Sequence, residues 1–179
     1  MTSSTNERGW QRESWREWAP VLSAAVLGLA VVVAGAFAVP ALAQEFPAAW
    51  IEGAKVWRTG GCGDCHGKYA DGEPAVNEMP PGPNLRETSL TREEIAEVIR
   101  CGRPGTPMPF NDPGAYIETA CYGIPLGEVL AASGKDLTPE KIDNLATYIA
   151  EAVKDAGPPD REACAIYYGG DRNYPLCLL

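Results

Sequence analysis

The amino-acid sequence predicts an all-α fold, and three observations carry that reading. Within 46–59, 91–101 and 138–156, apolar residues recur at helical intervals. These stretches stop at glycines, Gly60-Gly61, Gly102 and Gly157, and the second and third open on a threonine suited to capping. The chain between the first two turns to Gly, Pro, Asp and Asn, which argues for loops without regular structure.

A length of 179 residues suits one domain with appendages, and 45% hydrophobic residues is ordinary for a globular protein. Part of that hydrophobicity lies at the start. Val21 to Val39 carries no charge and runs into Pro40-Ala41-Leu42-Ala43-Gln44, an A-x-A pattern suited to signal peptidase cleavage after Ala43. Residues 1–43 therefore read as a signal peptide. An uncleaved membrane anchor with its N-terminus inside is the competing reading. The apolar run is nearly long enough to span a bilayer, and Trp10, Trp15 and Trp18 interleave with Arg8, Arg12 and Arg16 as interface anchors do. Either reading leaves the expected domain, 44–156, and a tail, 157–179, in the periplasm or an equivalent oxidising compartment, soluble or tethered to the inner membrane.

Phe46 to Thr59 forms the first expected helix, with Ile51, Ala54, Lys55 and Trp57 at helical intervals. Gly53 leaves a flat spot on it where another helix can approach closely. Gly67 to Arg86 reads as a loop. Thr91 and Glu94 fit a capping box, after which Ile95, Val98 and Ile99 make one apolar face and Arg100 complements the helix dipole. Asn111 to Asp136 is hard to assign: short helical turns are expected at Ala115–Ala120 and Leu126–Ala132, interrupted by glycines and Pro125. A loop this long in a compact domain is often functional, either covering a site or contacting a partner. Thr138 and Pro139 then open the last helix, with Ile142, Leu145, Ala146 and Ile149 on one stripe and Gly157-Pro158-Pro159 as its end. The tail carries Tyr167, Tyr168 and Tyr174 and is expected to fold back onto the domain.

Chemistry enters at Cys62-Gly63-Asp64-Cys65-His66. This C-x-x-C-H run suits covalent haem attachment: each thiol adds across one vinyl group, and the adjacent imidazole is left as the proximal iron ligand. A zinc half-site would need further N and S ligands at regular spacing, and a thioredoxin-like redox pair would need a strand-to-helix setting. His66 is the only histidine, so a sixth ligand must come from another residue type. Methionine is the usual choice for an electron-transfer haem. Met108, in Gly105-Thr106-Pro107-Met108-Pro109-Phe110, sits in a loop stiffened by proline on both sides, whereas Met79 comes before the chain has wrapped round the cofactor. Tyr69 and Arg86 read as solvated surface residues or as groups in reach of a haem propionate.

Between about Ala48 and Val153 the chain resembles the monohaem class I cytochromes c. The resemblance rests on Gly53 and Trp57 ahead of C-x-x-C-H, then Gly82-Pro83-Asn84-Leu85, Met108-Pro109-Phe110 and Leu137-Thr138-Pro139-Glu140-Lys141-Ile142, in that order. It implies a cytochrome c fold, with three or more helices around one covalently bound haem c. It also implies that the Pro83 carbonyl accepts the Nδ1 proton of His66, that Leu85 packs on the haem, and that the helix meeting Gly53 is the C-terminal one. A long stretch between His66 and Pro83, an insertion after Phe110 and the tail after Val153 depart from the family pattern.

Four further cysteines in an exported chain suggest two disulfides, with three pairings open. Cys101 with Cys121 is favoured because that bond closes a loop around Met108; Cys164 with Cys177 would then staple the tail. The region after Ala43 holds 12 basic and 21 acidic residues, a net charge of −9. Nucleic acid is an implausible ligand for such a surface; the acidity suits either steering to a basic patch on a redox partner or solubility alone. The expectation is a one-electron carrier that converts nothing chemically. The resemblance implies as donor a periplasmic dehydrogenase, for instance a quinoprotein dehydrogenase, or a quinol-oxidising complex, and as acceptor a terminal oxidase. The alternative is a membrane-anchored haem subunit of a respiratory or photosynthetic complex. A haem sensor or peroxidase is the remoter reading, because no second imidazole is left for distal acid-base work.

Overall fold

The computed structural model describes residues 45–76 and 79–178. The signal or anchor expected at 1–43, including Val21 to Val39, lies outside them. Among the described residues there is no strand and no helix long and apolar enough to cross a membrane. The all-α expectation holds.

Helix α1 spans Ala48–Thr59 and is followed by a four-residue helical turn, α2, Gly63–His66. A 3-10 turn covers Leu85–Glu87, then α3 spans Arg92–Cys101 and α4 Pro139–Tyr148. The last of these continues as a π-helical turn, Ile149–Val153. In the tail, α5 covers Arg161–Tyr167, and a 3-10 turn covers Pro175–Cys177. The capping signals act as expected. The Thr91 hydroxyl accepts from the Glu94 amide, and the Glu94 carboxylate accepts from the Thr91 amide at 2.8 Å. The Thr138 hydroxyl accepts from the Lys141 amide, and Pro139 occupies the first turn, where its missing N–H costs nothing. The helix that follows stops at Lys154, ahead of the Gly-Pro-Pro expected to end it.

The centre of the core is the crossing of α1 with α4. Gly53, Ala54, Val56 and Trp57 face Ile142, Leu145, Ala146 and Tyr148, with Ile95 and Ile99 of α3 completing the cluster. The flat spot at Gly53 does what its sequence position suggests. A Cβ there would lie 2.3 Å from the Asn144 carbonyl oxygen and 2.4 Å from Tyr148 Cβ, so only glycine lets the helices approach this closely. Helix α3 is tied to α4 by Arg92, which bonds the Thr147 hydroxyl at 3.0 Å and pairs with Asp143. Ile166 of α5 joins the core, and the Arg58 guanidinium donates to the Tyr167 carbonyl.

Two expectations are corrected here. Neither Ala115–Ala120 nor Leu126–Ala132 is helical. The first is a knot of turns in which the amides of Ile117, Glu118 and Thr119 all donate to the Gly114 carbonyl and Tyr116 takes φ +64°. The second begins in a turn at Leu126-Gly127 and runs on without regular structure to meet Phe110, whose amide bonds the Ala132 carbonyl. A separate small cluster, Cys101, Ala115, Tyr116 and Cys121, buries the inner side of this insertion. Its core is too small for helix packing, so hydrogen bonds and a cross-link replace it. The second correction concerns Arg86. It is only 5% exposed, and its guanidinium donates to the carbonyls of Tyr69 and Gly157. It is a strut from the long loop to the turn after α4, not a solvated group.

Both disulfides pair as favoured, Cys101 with Cys121 and Cys164 with Cys177.

Candidate functional site

The C-x-x-C-H run is placed by the end of α1. The Cys62 amide donates back to the Trp57 carbonyl at 3.2 Å, and the His66 amide to the Cys62 carbonyl at 3.0 Å, so the five residues wind into one compact turn. Cys62 and Cys65 are both free thiols and half-buried, while the four other cysteines are oxidised in pairs. Burial pushes the Cys62 thiol up to about 12, which keeps it protonated at neutral pH.

His66 is clamped from behind. Its Nδ1–H donates to the Pro83 carbonyl at 3.0 Å, which fixes the tautomer and leaves Nε2 with its lone pair outward. The stretch carrying Pro83 is pinned close by the Gly82 amide, which donates to the Cys65 carbonyl at 2.8 Å. Gly82 itself stacks on the ring: a Cβ there would stand 2.6 Å from Nδ1. Trp57 lies 6.1 Å from the imidazole and anchors the following loop through Nε1–H to the Lys68 carbonyl at 3.2 Å. Burial lowers the pKa of His66, opposed by the Pro83 hydrogen bond and aided by the nearby charge of Arg103. The ring is therefore held neutral, as metal ligation requires. Leu85, three residues past Gly82, is half-buried against the main core.

Met108 is half-buried in a loop closed by one backbone bond and one to a side chain. Its amide donates to the Thr106 hydroxyl at 3.2 Å, and its carbonyl accepts from the Arg103 amide at 3.1 Å. Asn111 Nδ2 reaches back to the carbonyls of Ile99 and Pro109, at 3.0 and 3.3 Å, fixing the loop to the end of α3. Met79 is 41% exposed. A cavity of about 510 Å³ opens beside this loop, lined by Leu90 and Val98, by Arg103 and Thr106, and by Tyr122 and Ile124 of the insertion. Sequence reasoning gave no separate role to Gly82, Thr106 or Asn111. Thr two residues before Met108 is a turn signal that could have been read, whereas the roles of Gly82 and Asn111 depend on atoms distant in the chain.

Tyr69 belongs to an aromatic group on the tail side. Lys68 Nζ sits 5.0, 5.2 and 4.8 Å from the ring centres of Tyr69, Tyr167 and Tyr168, and bonds the Tyr168 hydroxyl at 2.9 Å. Tyr168 in turn stacks on Tyr174 at 4.1 Å.

The donor set fits a haem of the c type. Two unpaired thiols lie three residues apart in one helical turn, and an imidazole whose Nδ1–H is taken by the Pro83 carbonyl leaves the other nitrogen for iron. Residues 48–149, more than half of the chain, match the family described as cytochrome c oxidase, cbb3-type, subunit III. Comparison with curated proteins returned no match, nor did comparison with solved structures. A cytochrome c domain implies a covalently bound haem c, electron transfer and redox partners. By its helical fold, its thiol pair, its clamped imidazole and this match, the chain belongs to the class I c-type cytochromes.

Proposed function

We propose that this protein is a periplasmic carrier of single electrons between a dehydrogenase or quinol-oxidising complex and a terminal acceptor such as an oxidase. Cys62 and Cys65 would hold haem c through thioether bonds, and His66 and Met108 would ligate its iron. The observation that carries the reading is the hydrogen bond from His66 Nδ1 to the Pro83 carbonyl beside two free thiols. When bound, the haem supplies an iron that alternates between two oxidation states. The chain's own residues do the rest. Pro83 and Gly82 hold the imidazole plane, Leu85 and the α1–α4 core exclude water, and Thr106, Pro107 and Pro109 keep the Met108 thioether from swinging away. A thioether favours the reduced iron and so raises the potential.

The description of the matching family, together with the apolar run Val21 to Val39, favours a second reading, a fixed haem subunit of a membrane complex. Mass spectrometry of the protein from its native membrane separates the two: a chain beginning at Gln44 fits the free carrier, and an intact N-terminus fits the subunit. The ligand assignment is tested by the far-red sulfur-to-iron band of the oxidised protein, which Met108→Ala is expected to abolish. Survival of the band in that variant would reassign the ligand. Carbon monoxide binding to the reduced, unaltered protein at neutral pH would move it to the sensor class.

A further inference from the structure

We propose that the outer face of the 111–136 insertion is the docking surface for a redox protein whose contact patch is apolar and ringed by lysine and arginine. The inference rests on the electron-carrier reading and names the chemistry of the partner.

Four large apolar side chains stand in solvent on this segment: Ile117, Leu126, Val129 and Leu130, at 61, 57, 46 and 54% exposure. Backbone bonds hold the stretches that carry them. The Gly127 amide donates to the Tyr116 carbonyl at 2.6 Å, which brings Leu126 next to Ile117, while Ile124 and Ala131 tuck inward against Cys101, Tyr116 and Cys121. The support is rigid, because the Cys101–Cys121 bond ties it to α3. Two hydrogen bonds, Phe110 amide to Ala132 carbonyl and Gly134 amide to Phe110 carbonyl, join it to the strip that carries Met108. Exposed apolar side chains on a fixed support mark an interaction site, and these stand on a segment bonded to the strip that carries the candidate iron ligand, where a short electron path is needed.

Charge selects the partner. Glu118 follows Ile117, Glu128 precedes Val129, and neither is in an ion pair among the described residues. Lys135 is the one basic residue in 111–136, and the whole chain carries −9. A second copy would be repelled, whereas a basic rim would be steered in and the apolar contact would then hold it.

The test uses the holoprotein and two redox probes, a lysine-rich mitochondrial cytochrome c and ferricyanide, followed by stopped-flow absorbance. Electron exchange with the basic cytochrome is expected to slow as salt rises. In Leu126→Ser with Leu130→Ser it is expected to slow about ten-fold at low salt, the loss of roughly one good contact, while the ferricyanide rate stays put. An unchanged cytochrome rate overturns the proposal, as does equal slowing with both probes, which would place the effect at the haem. A dimer in sedimentation that dissociates in the double variant would also overturn it, giving the patch to a second copy. If the unaltered protein exchanges electrons with neither probe, the carrier reading itself fails, an outcome distinct from all of these.

Discussion

Backbone approaches closely on both sides of the site, at Gly53 and Gly82 near His66 and at Gly102 against Met108 and Pro109, but only the His66 side adds a helix crossing, whereas the Met108 side relies on ties between loops. On the His66 side, α1 lies against α4 at a distance only Gly53 permits, and Gly82 lies against the imidazole ring. On the Met108 side there is little core: a disulfide, the Asn111 side chain and a few loop hydrogen bonds hold a proline-flanked turn to the end of α3. The difference suits the two chemistries. An imidazole must be oriented to a fraction of an ångström and is placed by packing that cannot relax. A thioether is a weaker, softer group, and what it needs is a short tether that keeps it near.

The largest expected effect comes from breaking the packed side. Gly53→Val drives a branched side chain into the Asn144 carbonyl and the Tyr148 Cβ, neither of which is the free end of a flexible group. A loss of about 3 kcal/mol or more in denaturant unfolding is expected, at the upper end of overpacking effects. A loss under about 1 kcal/mol would mean that the crossing is looser than described.

Next in size is removal of the tether. Replacing Cys101 and Cys121 together by alanine is expected to cost about 3 kcal/mol, the value for a loop of this length, chiefly by freeing the unfolded chain. The sharper readout is local. The far-red band should fade at a lower temperature than the far-ultraviolet helix signal, because the Met108 loop is released before the α1–α4 core melts. If the two signals fall together, the disulfide serves global stability and the contrast between the two sides fails.

The smallest effect is confined to alkaline pH and reports on the packed side alone. Burial raises the Tyr148 phenol from its ordinary 10 to about 12. A folded-state pKa raised above the unfolded one gives stability that is complete below pH 10 and is lost as pH climbs towards 12. Tyr148→Phe should lack this share of the alkaline decline, measured as unfolding midpoint against pH. The variant without Cys101 and Cys121 should keep it.

Much of this protein is legible in the order of its residues. Periodicity and caps are local, so α1, α3 and α4 could be read from Trp57, from Thr91 with Glu94, and from Thr138-Pro139. The C-x-x-C-H run carries its own chemistry, because five consecutive residues suffice to define it. Where no local signal dominates, tertiary contacts decided. The 111–136 segment has too little periodicity to declare its turns, and its form follows from what Phe110, Gly114 and Cys101 offer as partners. Arg86 looks like a surface charge until the carbonyls of Tyr69 and Gly157, the latter 71 positions away, close round it. Gly53 and Gly82 show the same division: glycine in the sequence permits a close approach, but only the folded chain brings Tyr148 and His66 there to make it. Local rules act within a few bonds of a residue, whereas burial and close contact depend on which distant atoms arrive beside it.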